Sequence, residues 1–150
     1  MNYSIEQLHD MIENEKRLPP DFNQWNLIVD EEEFTIAHLA AEHNCLPPDF
    51  DRWYLRNNKL GWTVAHEAAS YRCLPPNFNQ WELASNTGWT VAHEAAIFRY
   101  LPSDFNQWGI ANKFGWAIAH VAASYGHLPP DFDRWYLLDK NGWAVAHSVA

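Results

Sequence analysis

A chain of 150 residues with 47% hydrophobic and 15% aromatic residues has ample material for packing and does not have the composition of a disordered segment. No apolar run approaches the ~18 residues of a membrane span, and no basic stripe is present to displace counterions from a nucleic acid, so neither membrane insertion nor direct nucleic-acid binding is expected. The formal net charge of −9 lies at one end: residues 1–50 hold eleven acids against Lys16 and Arg17, and the remainder is balanced.

Taken in order, the first stretch has neither the basic n-region nor the apolar h-region of a secretory signal, so a cytoplasmic location is expected. Ser4 is a good helix cap, and Ile5, Leu8, Met11 and Ile12 follow at helical spacing. This predicts a helix over about 4–16 with one apolar side, which suits a terminal cap on residues 1–17. A Leu-Pro-Pro phrase then begins at Leu18, Leu46, Leu74 and Leu128, with a Leu-Pro-Ser version at Leu101, giving periods of 28, 28, 27 and 27 residues. Fixed self-similarity of this length signals a repeat array, here over 18–150. Proline at the first helical position and the spacing of three between Phe22 and Trp25, Phe50 and Trp53, Phe78 and Trp81, Phe105 and Trp108, and Phe132 and Trp135 predict a short helix in each phrase. Its aromatic face is expected to form the core between repeats.

A polar turn follows, closing in four copies at Gly61, Gly88, Gly115 and Gly142, as suits the positive φ of glycine. Behind it comes a second phrase, for example Gly61-Trp62-Thr63-Val64-Ala65-His66-Glu67-Ala68-Ala69, with a variant copy from Glu33 to Ala41 and a last one from Gly142 to Ala150. Thr63 and Thr90 are candidate caps, and the small Ala side chains allow close stacking of this second helix. Eleven short helices are therefore predicted, the last at 143–150. Cys45 and Cys73 hold equivalent places one repeat apart, about 10 Å, which exceeds the roughly 7 Å that a disulfide permits between Cα atoms. They are expected to be reduced, buried and structural.

The second phrase resembles the ankyrin repeat signature. The closest echoes are Asp139-Lys140-Asn141-Gly142-Trp143-Ala144-Val145-Ala146-His147, and Ala122-Ala123-Ser124-Tyr125-Gly126-His127-Leu128. The family's Pro is replaced by Ile36, Val64, Val91, Ile118 and Val145, and its Leu by Ala37, Ala65, Ala92, Ala119 and Ala146. The period is also shorter than the 33 residues of the family. The resemblance implies an all-α, right-handed α-solenoid of about five short helix-turn-helix repeats, without long β-hairpin fingers. It also implies that His38, His66, His93, His120 and His147 are structural, binding loop backbone and tying repeats together.

The same resemblance places Phe34, Trp62, Trp89, Trp116 and Trp143 on a concave partner-binding face, with Tyr71, Phe98 and Tyr125 beside them. Glu42-His43, Ser70, Ile97 and Ser124 share those latter positions. From the residues alone the Trp ladder has two readings: a binding face, or a cover folded down over the repeat junction. Glu67 and Glu94 are expected to be solvated or paired with Arg. No GxSxG, HExxH or phosphate loop is present, no catalytic residue is assigned, and no metal or cofactor is expected. The expected function is a non-enzymatic protein-binding module, an adaptor or inhibitor. Its acidic end, including Glu31 and Glu32, would steer a basic partner surface. Three alternatives stand beside it. One is a viral or microbial inhibitor, in the cytoplasm of a microbe or an infected cell, that occludes a basic nucleic-acid-handling enzyme. Another is a small metal-dependent enzyme joining His9 and His43. The third is a self-assembling repeat protein, because the apolar Val149-Ala150 end makes a homodimer an alternative to a monomer.

Overall fold

The computed structural model describes residues 2–149, which form two compact units, Met1–Asn79 and Gln80–Ala150. The first unit holds α1 (Ile5–Asp10), which runs on as a π-helical turn over Met11–Glu15, then α2 (Ile36–Glu42) and α3 (Val64–Ser70). The second holds α4 (Val91–Ile97), α5 (Ile118–Ser124) and α6 (Val145–Ser148). The helix α1 opens on a reciprocal cap: Gln7 N–H donates to Ser4 Oγ, and Ser4 N–H donates to the Gln7 side chain. Leu8 and Ile12 are fully buried, and Lys16 ends the helix in the left-handed region.

Each Gly-phrase helix has at most two turns, too few to be stable alone in water, so its ends are held by specific partners. In α2 the first N–H groups, of Ile36 and Ala37, donate to the carbonyls of Leu27 and Trp25 at 2.8 and 3.2 Å. The next, of His38, donates to Thr35 Oγ1 at 3.4 Å. The pattern repeats in α3, where Val64 donates to Leu55 and Ala65 to Trp53, and in α4, where Val91 donates to Leu83 and Ala92 to Trp81. At the other end a left-handed residue, Asn44, Arg72, Arg99 or Gly126, turns the chain. The following N–H then reaches back into the helix, as from Cys45 to Ala40 O at 2.7 Å.

These cross-links explain the main departure from expectation. The Leu-Pro-Pro phrases, predicted as helices, are pairs of turns. Phe22 N–H donates to Pro19 O, and Leu27 N–H to Gln24 O, both across three residues. The carbonyls of Trp25 and Leu27, which a helix would need for itself, serve the start of α2 instead. Asp21, Asn23 and Asn26 favour turns by the same competition for backbone groups. Helix is therefore confined to one element per repeat among the described residues, not two. The expected last helix appears as α6, and residue 150 lies outside the described residues.

The aromatic core survives this change because a spacing of three also brings Phe and Trp together across a turn. In the first unit Phe22, Trp25, Phe50, Trp53 and Phe78 meet edge-to-face in series, with centroids 4.7 to 5.6 Å apart. In the second, Trp81, Phe105, Trp108, Phe132 and Trp135 do the same at 5.0 to 6.5 Å, but Trp135, expected in the core, is exposed at the end of the series. Each such pair contributes about 0.5–1.5 kcal/mol beyond its buried area.

Antiparallel contact in the turns is limited to single bridges: Ile28 with Thr35, Arg56 with Thr63, Ala84 with Thr90, Ala111 with Ala117, and Leu138 with Ala144. The first two span one residue more than the last three, and that residue is the difference between the 28- and 27-residue periods. Cys45 and Cys73 are free thiols, half-buried instead of buried. Burial pushes both thiols up from their ordinary range.

Candidate partner-binding face

The histidines and the Trp ladder form one structure. Thr35, Thr63 and Thr90 precede their helices, and the hydroxyl of each lies 2.7 to 2.9 Å from Nδ1 of His38, His66 or His93. The same Nδ1 accepts the threonine N–H, so the remaining proton is on Nε2. That Nε2–H donates to the backbone carbonyl of the next Trp: His38 to Trp62, His93 to Trp116 and His120 to Trp143, at 2.8 to 2.9 Å. Burial holds His38 and His93 below the ordinary imidazole value, which favours this neutral form. In the fourth repeat Ala117 replaces the threonine, and the buried His120 Nδ1 has no partner among the described residues. His147 is exposed, with Nδ1 accepting the Ala144 N–H.

The first turn residue fixes the backbone that carries each Trp. Asn57 Oδ1 accepts the Trp62 N–H, Asn112 Oδ1 that of Trp116, and Asp139 Oδ1 that of Trp143. Asp30 does the same for Phe34. Asn57 is buried, and its amide donates to Glu32 O.

The ladder is not uniform. Phe34, Trp62 and Trp89 are half-buried, whereas Trp116 and Trp143 are exposed. A contact missed in the sequence accounts for part of this. Glu67 accepts the Trp62 indole N–H at 2.9 Å, and Glu94 accepts that of Trp89 at 2.8 Å. The spacing of five from Trp to Glu, with the Trp outside the helix, is not a helical neighbour relation, so helix reasoning does not find it. The two indoles lie tilted over His66 and His93.

In the second unit Trp89, Trp116 and Tyr125 line one open cleft of about 430 Å³, together with Thr87, Ile97, Asn112, Phe114, Val121 and Ser124. Phe114, at a turn tip, was not singled out in the sequence. Phe98 is half-buried and is not part of the lining. In the first unit Phe34 borders a smaller space of about 170 Å³ with Asp30, His38, Glu42 and Glu67. Tyr71 donates to Glu42 Oε1 at 3.2 Å, and partial burial followed by the Glu42 charge pushes its phenol upward. Glu31 and Glu32 are exposed, and their backbone carbonyls accept from Lys59 Nζ and Asn57 Nδ2.

The residues of the metal-enzyme alternative are engaged separately. His9 contacts Glu13 at 3.1 Å, and His43 contacts Lys16 at 3.0 Å. Among the described residues no three His, Cys, Asp or Glu side chains converge as a ligand set. Among the described residues no helix is long and apolar enough to cross a membrane.

No protein-family model matches the chain, and no curated protein sequence matches it. Among solved structures, the ankyrin repeat domain of Bcl-3, titled a unique member of the IkappaB protein family, superposes with a TM-score of 0.60 over 87% of this chain and 68% of that one, at 18% identity. The fold is that of an ankyrin repeat domain. This chain is thus an all-α repeat solenoid with no β-sheet among the described residues, built on aromatic repeats of about 27 residues. Within this ankyrin fold the cleft lies between the turn ends of the third and fourth repeats on one side and helix residues Ile97, Val121, Ser124 and Tyr125 on the other.

Proposed function

We propose that the chain is a non-enzymatic protein-binding module whose contact surface is the aromatic cleft of the second unit. The ankyrin fold generally serves protein–protein interaction. The observation that carries the reading is the exposure of Phe114, Trp116 and Tyr125, at 58%, 41% and 54%, around one apolar cleft. Clustered exposed apolar groups mark interaction sites, and Trp and Tyr are the commonest interface anchors. The anchors sit on backbone fixed by Asn112 and by the His93 link, so little ordering is needed on binding. The exposed carboxylates of Glu31 and Glu32 add a salt-sensitive attraction for a basic surface elsewhere on the partner. A module of this kind acts as an adaptor, or as an inhibitor by covering its partner.

The test is affinity capture followed by mass spectrometry with the wild-type chain, Trp116→Ala and Tyr136→Ala. Tyr136 is 72% exposed and outside the cleft lining. A protein retained by wild type and Tyr136→Ala, and lost with Trp116→Ala, is the expected result. Equal retention by all three contradicts the assignment of the cleft.

A further inference from the structure

The fourth repeat lacks a contact that the second and third make. There Glu67 and Glu94 hold the indole N–H of Trp62 and Trp89. The equivalent residue in the fourth repeat is Val121, which lines the cleft. Trp116 uses its backbone N–H on Asn112 and its carbonyl on Asn112 N and His93, while its indole N–H has no acceptor among the described residues. Its ring stands edge-on to His120 at 86°, where the pinned indoles lie at 33° and 32° to their histidines. Replacing Glu by Val thus releases a hydrogen-bond donor at the cleft and leaves the lining without a carboxylate.

Two lysines adjoin the lining residues. Lys113 is exposed and sits between the lining residues Asn112 and Phe114. Lys140 packs over Gly115, next to Trp116: a Cβ added at Gly115 would lie 2.5 Å from Lys140 Cβ. Neither lysine has an ion pair among the described residues. The acid of the adjoining turn, Asp139, directs Oδ1 to the N–H groups of Asn141 and Trp143 at 2.9 and 2.8 Å. The cleft therefore combines apolar walls and one free N–H, with two lysines adjoining its lining residues, although the chain as a whole is acidic.

We infer that the cleft receives an acidic segment of a protein partner, anchored by one large apolar side chain. The side chain sits among Trp89, Ile97, Phe114, Trp116, Val121 and Tyr125. A neighbouring carboxylate meets the Trp116 N–H and the ammonium of Lys113 or Lys140. A carboxylate suits these donors better than a neutral carbonyl, because charge-assisted hydrogen bonds are roughly twice as strong. The inference rests on the cleft being the contact surface, and the experiment separates the two.

The full ¹⁵N-labelled chain is titrated with capped pentapeptides of sequence Gly-Asp-Leu-Glu-Gly, Gly-Lys-Leu-Lys-Gly and Gly-Asp-Ser-Glu-Gly. The salt is near 0.15 M, where the screening length of about 8 Å damps attraction or repulsion from charges outside the cleft. The indole N–H signals of Trp89 and Trp116 are followed. The acidic leucine peptide should shift Trp116 saturably, and the lysine and serine peptides should bind about tenfold more weakly. Val121→Glu supplies the missing acceptor and a like charge, and should weaken the acidic peptide by about tenfold or more. Trp116→Phe keeps an aromatic wall without the N–H and should weaken it about fivefold. If the lysine peptide binds as well as the acidic one, or both variants bind like wild type, the acidic chemistry is overturned while the cleft stands. If no peptide moves either indole, the cleft itself is overturned as a contact surface.

Discussion

Replacing Ala117 by Thr should stabilise the fourth repeat by roughly 1–2 kcal/mol. In the first three repeats a threonine hydroxyl both caps the helix and contacts His Nδ1, as Thr90 does with His93 N at 3.1 Å and Nδ1 at 2.7 Å. Ala117 offers neither bond: His120 N–H turns to the Ala117 carbonyl at 3.0 Å, and the buried Nδ1 is unsatisfied among the described residues. A helix cap contributes about 1 kcal/mol. A partner for a buried orphan contributes about 1 kcal/mol more, and the two overlap because one hydroxyl supplies both. The site accepts the side chain, since the equivalent Thr63 and Thr90 are buried in the same setting. The urea midpoint should rise at constant m-value, and the melting temperature by about 2–4 °C per kcal/mol. Ala117→Val has the same shape without the hydroxyl and should show no gain. A Thr variant no more stable than the Val variant would refute the reasoning.

Acid should destabilise the fold through its histidines. Burial holds His38 and His93 below their ordinary value of 6.5, so the unfolded chain takes up protons first. Their contribution is complete above about pH 6.5 and is lost as the pH falls towards the folded-state values, so urea midpoints should drop between pH 7 and 5; a flat profile contradicts this. Arg99 stands at φ 55° where the next repeat has Gly126, so Arg99→Gly should be neutral to about 1 kcal/mol stabilising in chemical denaturation, and Arg99→Val clearly destabilising. Gly115→Ala should cost more than about 2 kcal/mol, because the new Cβ meets Lys140 N at 2.7 Å as well as a left-handed φ of 83°. Gly142→Ala, with open space around it and only the φ strain, should cost about 1 kcal/mol; equal costs would show that contact with Lys140 is unimportant.

The ankyrin-like array was legible because a period survives whatever local structure fills it. The short helices were legible from the small Ala residues and from the Thr cap with its His Nδ1 contact, all local to two turns of chain. The Leu-Pro-Pro phrase was misread because Pro first and an aromatic pair three apart fit a helix and a turn equally well. What decides between them is where the Trp25 and Leu27 carbonyls go, and that is set by a helix ten residues later. The cleft was half legible. Trp89, Trp116 and Tyr125 were picked out, but Phe114 was not, because exposure at a turn tip depends on neighbouring repeats and not on its own phrase. The difference between pinned and released indoles was present in the sequence as Glu67, Glu94 and Val121, yet it has no meaning until the Trp is seen to reach across the helix start.

The central claim, that the second unit binds a protein through an exposed aromatic cleft, is tested most directly by Trp116→Ala with partner capture and thermal melting measured on the same sample. Trp116 is outside the edge-to-face core series and has no indole hydrogen bond among the described residues. The account predicts loss of capture with a melting shift of no more than a few degrees. Unfolding of the variant, or undiminished capture by the folded variant, would contradict it.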